Sequence, residues 1–460
     1  MYPVTRDHKV KFRPEWDLRD VLMLLALLVL LAGIVNTASK FGGNYDYKLE
    51  IKTSLDVLPA YTAQTLLRMT AAYFLSLIFT LIYAYSAYRS KVISIILIPL
   101  LDILQSIPVL SFLPGVVLAL IAIFPGQRIG VELASIILIF TGMTWNMTFS
   151  FYQSLCGIPQ ELIEAARIYR LNSWQRFLTV ELPSGAIGLV WNSVMSVAGG
   201  WFFLIAIESF TLGDKDFRLP GLGSYLGAAA SKGDFGAIAW GLLILISVII
   251  LIDFLIWRPL IAWVEKFKFE TVESQNTPQS FVLNFFRRSP TLRIFTNRVW
   301  KPLGLAFEQG IQQIPPQISQ NNPNKILPII QWINWLFLSG VTIIVLWGTW
   351  EAALLMRVLN WADWQKVVTG AIFTALRVII ALALSLAWTV PVGVTIGRNP
   401  RLAKILQPIV QIAASVPATA LFPVILLGLA QIGGGLQIGS IALMLLGTMW
   451  YVLFNVIAGA

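Results

Sequence analysis

Apolar residues in this chain run in long blocks, separated by short polar stretches. A helix needs about 20 mainly apolar residues to cross a bilayer. Ten blocks meet that need, at 21–37, 64–86, 92–123, 131–154, 184–207, 236–257, 329–347, 368–395, 403–430 and 437–458. The pattern predicts an all-α polytopic membrane protein. The third block is too long for one straight helix and holds Pro99, Pro108 and Pro114. Proline removes a backbone donor and crowds the preceding turn, so a break is expected near Gln105-Ser106-Ile107-Pro108. Ahead of the first block lie Asp7, Glu15, Asp17 and Asp20. That flank is unlike a signal peptide's, so a retained helix is expected.

Composition agrees with the block pattern. Only 12% of the 460 residues are charged and 57% are hydrophobic, against about 25% charged in a soluble domain. The net charge of +10 then has a topological meaning. With the N-terminus in the cytoplasm, 22 of the 33 lysines and arginines fall on the cytoplasmic side and 9 outside, and Arg68 and Arg377 lie within spans. Positive loops stay inside, which supports that orientation. One cysteine, Cys156, and one histidine, His8, exclude an internal disulfide and a Cys/His metal cluster. There is no Gly-x4-Gly-Lys-[Ser/Thr] phosphate loop and no Ser/His/Asp set. Neither a cofactor, a metal, a nucleic-acid partner nor an enzymatic reaction within the chain is expected. Asn146-Met147-Thr148 has the form of a glycosylation site but lies in a span.

The chain repeats itself. At an offset of 309, Thr65-Leu66-Leu67-Arg68 matches Thr374-Ala375-Leu376-Arg377, and Leu75-Ser76-Leu77 matches Leu384-Ser385-Leu386. The same offset pairs Arg89 with Arg398, Pro99 with Pro408, Pro108 with Pro417 and Pro114 with Pro423. Ser106-Ile107-Pro108 answers Ser415-Val416-Pro417. Further on the offset becomes 305, pairing Gly142 with Gly447 and Trp145 with Trp450. Both copies keep the same span order and orientation, as in parallel repeats around a central pathway. The expected organisation is a tail, first span and external loop at 1–61, a first repeat at 62–260, a cytoplasmic linker at 261–328, and a second repeat at 329–460.

Between the fourth and fifth blocks, residues 158–183 read as helix–turn–helix. Pro159 suits a helix start, and Glu161 and Glu164 favour its first turns. Leu162, Ala165, Ala166 and Tyr169 recur at helical spacing. Asn172 is suited to a left-handed turn and Ser173 to capping a second short helix, which ends at Leu182-Pro183. By composition alone this is an amphipathic loop at the membrane surface or a dock for a cytoplasmic partner.

The segment resembles the Glu-Ala-Ala loop of binding-protein-dependent ABC importer permeases. Glu164-Ala165-Ala166 and Leu182-Pro183 match that pattern, and Arg170 stands where the family has glycine. Ser-Ile-Pro and Ser-Val-Pro, each followed by a proline six residues on, are also like these permeases. Gly199-Gly200-Trp201 leading to Ala206-Ile207-Glu208 resembles the nitrate/sulfonate/taurine anion-transport group. The resemblance covers roughly 62–260 and 370–460. It implies two type I permease repeats in the inner membrane of a bacterium. It also implies separate cytoplasmic ATPase subunits, an extracytoplasmic binding protein, and a coupling loop that includes Glu161, Glu164, Ala165, Ala166, Tyr169, Arg170, Leu171 and Pro183. On the repeat offset, Glu164 has its counterpart at 469, so a natural length of about 565 residues and about twelve spans is expected.

Charge within a membrane is costly and often functional. Arg68 and Arg377 hold equivalent places near the outer ends of their spans. They either snorkel to headgroups or form a pair of cations that attracts an anion. Ser106, Pro108, Ser415 and Pro417 sit at the expected helix breaks and are pathway candidates, as are Trp201 and Glu208, though simple kinks and interface anchors remain open. The competing class is a secondary transporter or channel, which has no use for an ATPase dock.

Overall fold

The computed structural model describes residues 50–212, 215–267, 360–432 and 435–460, with Asn36 and scattered residues between 282 and 357. The expected spans at 21–37 and 329–347, and the linker beyond 267, fall almost wholly outside those residues. The chain divides into two compact bodies, Met1–Ile314 with Pro408–Val424 and Pro315–Gln407 with Ile425–Ala460.

In the first body, α1 spans Leu58–Arg89. Its buried face is mostly small or polar, with Gln64, Thr65, Arg68, Ala72, Ser76, Thr80, Ala84 and Ala87 beside Leu58 and Met69. Its exposed face carries Phe74, Ile78 and Ile82. This polarity is inverted relative to a soluble helix, as expected where lipid surrounds the bundle and small residues let helices approach. Two helices follow, α2 (Lys91–Ser106) and α3 (Val109–Ile123), bent by 94° at the expected break. Ile107 is extended there (ψ 121°), because Pro108 forbids its predecessor the helical region.

Helix α4 (Arg128–Cys156) packs along α1, with Thr80 and Thr148 hydroxyls 3.0 Å apart. A short helix, α5 (Gln160–Ile168), then leads to α6 (Ser173–Arg176). A wide π turn at Phe177–Glu181 joins α6 to α7 (Leu182–Glu208). The expected stop at Leu182-Pro183 is therefore absent. Pro183 follows directly on the π turn at Phe177–Glu181, and helix runs from Ser173 to Glu208. A two-residue hairpin, β1 (Thr211–Leu212) with β2 (Lys215–Asp216), and α8 (Leu222–Lys232) return the chain to α9 (Phe235–Ile252). A second π turn joins α9 to α10 (Arg258–Val264). Helix α7 packs along α4 and also touches α1.

In the second body, α11 (Trp361–Gly397) packs along α14 (Gly435–Gly459). Between them in sequence lie α12 (Pro400–Ser415) and α13 (Ala418–Ile432), of which residues Pro408–Val424 belong to the first body. Adding 309 to the bounds of α2 and α3 gives those of α12 and α13. Ala381, Ser385, Thr389 and Gly393 are buried on α11, at the positions of Ala72, Ser76, Thr80 and Ala84. Trp388 and Trp450 meet edge-on at 6.3 Å, where Phe79 and Trp145 meet edge-on at 6.2 Å in the first body.

The protein is thus an all-α polytopic membrane protein. Among the described residues six helices are long and apolar enough to cross a membrane, or seven with the bent pair α2/α3.

Candidate functional site

The loop 157–181 closes one end of the first body. Helix α5 has Ala166 buried, while Glu161, Glu164, Arg167, Ile168, Tyr169 and Arg170 face outward. Ile168 and Tyr169 are 79% and 78% exposed, and Trp174 is 52% exposed. The turn after α5 is set by two hydrogen bonds, Arg170 N–H to the Arg167 carbonyl (2.9 Å) and Leu171 N–H to that of Ala166 (3.0 Å). This double bond is the Schellman helix stop, which demands a left-handed residue. Arg170 supplies it, with φ 51°, the only non-glycine residue at positive φ among those described. The residue at the place of the family glycine thus adopts the backbone conformation that glycine favours.

The expected roles of Asn172 and Ser173 are corrected. Asn172 has φ −72° and is itself the cap. Its carboxamide oxygen accepts from Gln175 N–H at 2.8 Å, and the Gln175 side chain accepts from Asn172 N–H at 2.9 Å. Ser173 is the first helical residue, and its hydroxyl accepts from the Arg89 guanidinium at 3.1 Å. Tyr85 of α1 packs edge-on against Phe177, ring centres 4.7 Å apart.

The opposite end of the bundle holds a buried charge network. Arg68, Glu132 and Glu208 are all fully buried. Arg68 Nε donates to Glu132 Oε2 at 2.5 Å and Nη2 to Oε1 at 2.9 Å, while Nη1 donates to Glu208 Oε1 at 2.7 Å and to the Pro220 carbonyl at 3.0 Å. Arg128 adds Nε to Glu132 Oε1 at 3.0 Å and Nη2 to Gln64 at 2.7 Å. Glu208 also accepts from Thr65 Oγ1 (2.8 Å) and from Gly223 N–H at the start of α8 (2.8 Å), where a helix N-terminus welcomes negative charge. A Cβ on Gly221 would run into the Glu208 carboxylate, so the loop can close over it only with glycine there. Two cations meet two anions, and four elements are tied together. Arg68 is thus neither at a headgroup nor open to an incoming anion.

The remaining predicted residues separate. Arg377 contacts Gln437 in the second body. Trp201 is buried in the packing of α7. The Ser106 hydroxyl bonds back to the Asp102 carbonyl at 2.7 Å. Pro108 lines a cavity of about 310 Å³ with Gln105, Thr141, Gly142, Trp145, Asn146 and Phe203. Ser415 ends α12, and Pro417, buried, stands between α12 and α13.

Glu132 and Gln105 escaped the sequence reading. A signal existed for Glu132, since the 305 offset that pairs Trp145 with Trp450 also pairs Glu132 with Gln437.

Residues 76–258 match the family of the binding-protein-dependent transport system inner membrane component. A stretch of 169 residues is 25% identical to a probable ABC transporter permease protein of Haemophilus influenzae. That stretch is 35% of this chain and 65% of the relative's length. Both similarities support a permease component of a binding-protein-dependent ABC transporter.

Proposed function

We propose that the chain is the permease subunit of an ATP-driven importer that works by alternating access. Loop 157–181 is its dock for cytoplasmic ATPase subunits, and a substrate-binding protein delivers cargo on the opposite face. What carries this is the loop itself: exposed Ile168, Tyr169 and Trp174 on a rigid Schellman turn, continuous with a membrane-crossing helix. An exposed apolar patch of this kind, rimmed by charge, suits a protein partner. The coupling set is Glu161, Glu164, Ala165, Ala166, Tyr169, Arg170, Leu171 and Pro183. N-terminus inside, multi-pass insertion in a bacterial inner membrane fits the distribution of positive charge.

Two parallel repeats make up the chain. Supporting this are the coincident bounds of α2/α3 and α12/α13 and the paired contacts of Phe79–Trp145 and Trp388–Trp450. The pathway passes the helix breaks at Ser106-Pro108 and Ser415-Pro417. The cargo is a small anion of the nitrate, sulfonate or taurine type, on the resemblance around Trp201 and Glu208. Because Arg68 is neutralised by carboxylates, an anion in the first half would be met by the neutral donors Gln105, Trp145 and Asn146 lining the cavity.

The test is uptake into proteoliposomes holding the permease, its ATPase subunits and its binding protein. Uptake is expected to require ATP, and Ala165→Asp is expected to abolish both uptake and capture of the ATPase. Uptake that proceeds without ATP overturns the proposal in favour of a secondary carrier.

A further inference from the structure

Resting on that function, we propose that Glu181 is a positioning residue that fastens the docking loop to the first membrane helix, so that α1 follows every movement of the loop. Glu181 sits at the join between loop and α7, in the π turn, and is 1% exposed. Its Oε1 accepts from Arg176 Nε at 2.7 Å. Tyr85 on α1 is a hydrogen-bonding and electrostatic neighbour of the same buried carboxylate, and Tyr88 an electrostatic one. A buried carboxylate is costly unless it is paired and hydrogen-bonded, and here the partners come from the loop and from α1. Around it, the Tyr85–Phe177 ring contact and the Arg89–Ser173 hydrogen bond join the same two elements.

The placement explains why helix is not interrupted between loop and span. Glu181 and Glu208 are 27 residues apart on one helical path, about 40 Å at 1.5 Å per residue. Each is buried against α1, Glu181 beside Tyr85 and Glu208 on Thr65 and Arg68. Helix α1 is therefore held to the loop-bearing helix near both of its ends. A displacement imposed at Ala165–Trp174 is delivered to α1 by contact and by charge, with no flexible joint between them.

The experiment reads the loop-to-α1 distance in the intact complex with its ATPase subunits. Spin labels on cysteines replace exposed Arg167 on α5 and exposed Ile82 on α1, in a background where Cys156 is serine. In the wild-type background one narrow distance is expected, unchanged between nucleotide-free and ATP-trapped complexes. Glu181→Gln, which keeps volume, and Arg176→Gln are each expected to broaden that distance or split it on ATP trapping. A narrow, unchanged distance in both variants overturns the proposal, even if their thermal stability falls, because that result marks a purely structural pair. If no ATPase subunit associates with the wild-type chain, the permease function itself fails, and the two failures are distinguishable.

Discussion

Arg68 and Glu132 are joined by two hydrogen bonds, at 2.5 and 2.9 Å, with both side chains fully buried. Removing one partner of such a pair leaves an uncompensated buried charge, at a cost of about 3–5 kcal/mol. Arg68→Ala strands both Glu132 and Glu208 and is expected to lose at least that much stability. Arg377 sits on an exposed stretch of α11 with a neutral partner, Gln437. Arg377→Ala is expected to cost about 1 kcal/mol or less. Thermal unfolding of the two variants in detergent separates them, and equal losses would refute the contrast.

The turn at Arg170 makes a prediction of opposite sign. A non-glycine residue in the left-handed region costs about 1–2 kcal/mol, and glycine returns about 0.5–1 kcal/mol of that as chain entropy. Arg170→Gly is therefore expected to stabilise the loop by up to about 1 kcal/mol, and Arg170→Val to destabilise it, being β-branched. Trypsin cleavage after Arg167, which both variants retain, reads the effect directly. Slower cleavage in the glycine variant is expected.

Asn172→Ala removes the cap oxygen and one half of a reciprocal pair. The expected loss is about 1 kcal/mol, confined to the loop. It is visible as faster amide exchange over residues 173–178 with little change in α4. Exchange that rises equally in α4 would place Asn172 in the global core instead.

Much of the fold was legible in the sequence, and for identifiable reasons. Pro108 forces Ile107 out of the helix by local sterics, so the α2/α3 break needed no tertiary information. The shared register of three prolines and two arginines at the 309 offset is a property of the sequence itself. By contrast, the partners of Arg68 lie 64 and 140 residues away, and only helix packing selects them. The left-handed residue is Arg170 rather than Asn172, and the cap is Asn172 rather than Ser173; this was hidden because both a cap and a left-handed turn suit asparagine. The choice was made by the Leu171–Ala166 hydrogen bond, which fixes the left-handed residue one position ahead of Leu171. The continuation of helix past Leu182-Pro183 was masked by the ordinary meaning of proline as a stop, whereas here the proline follows directly on a π turn and the helix goes on.

On the far side, Asp216 pairs with Arg218 at 2.9 Å. Burial pushes the Asp216 carboxyl up, but hydrogen bonds and the charge of Arg218 outweigh it and hold the carboxyl below its ordinary 3.8. A lowered folded value means the pair's contribution is fully present above about pH 3.8 and is lost as pH falls through the lower folded value. Amide exchange over residues 215–219 is expected to be insensitive to Asp216 protonation between pH 7 and 5. Protection lost near pH 6 would show that another group governs the hairpin.

The cavity beside the α2/α3 break offers the sharpest test of the pathway. Its wall mixes Pro108, Val109 and Phe203 with the polar groups of Gln105, Thr141, Trp145 and Asn146. A neutral donor bonded to a charged solute contributes about 1.5–3 kcal/mol, or roughly 10- to 150-fold in a binding constant. Asn146→Leu preserves volume and removes the amide, so uptake is expected to fall by about 10- to 100-fold. ATP hydrolysis and assembly with the ATPase should persist, because the loop is untouched. Ser106→Ala is expected to be nearly silent by comparison, since that hydroxyl is already spent on the Asp102 carbonyl. If Ser106→Ala impairs uptake as much as Asn146→Leu, the solute meets the helix end rather than the cavity wall.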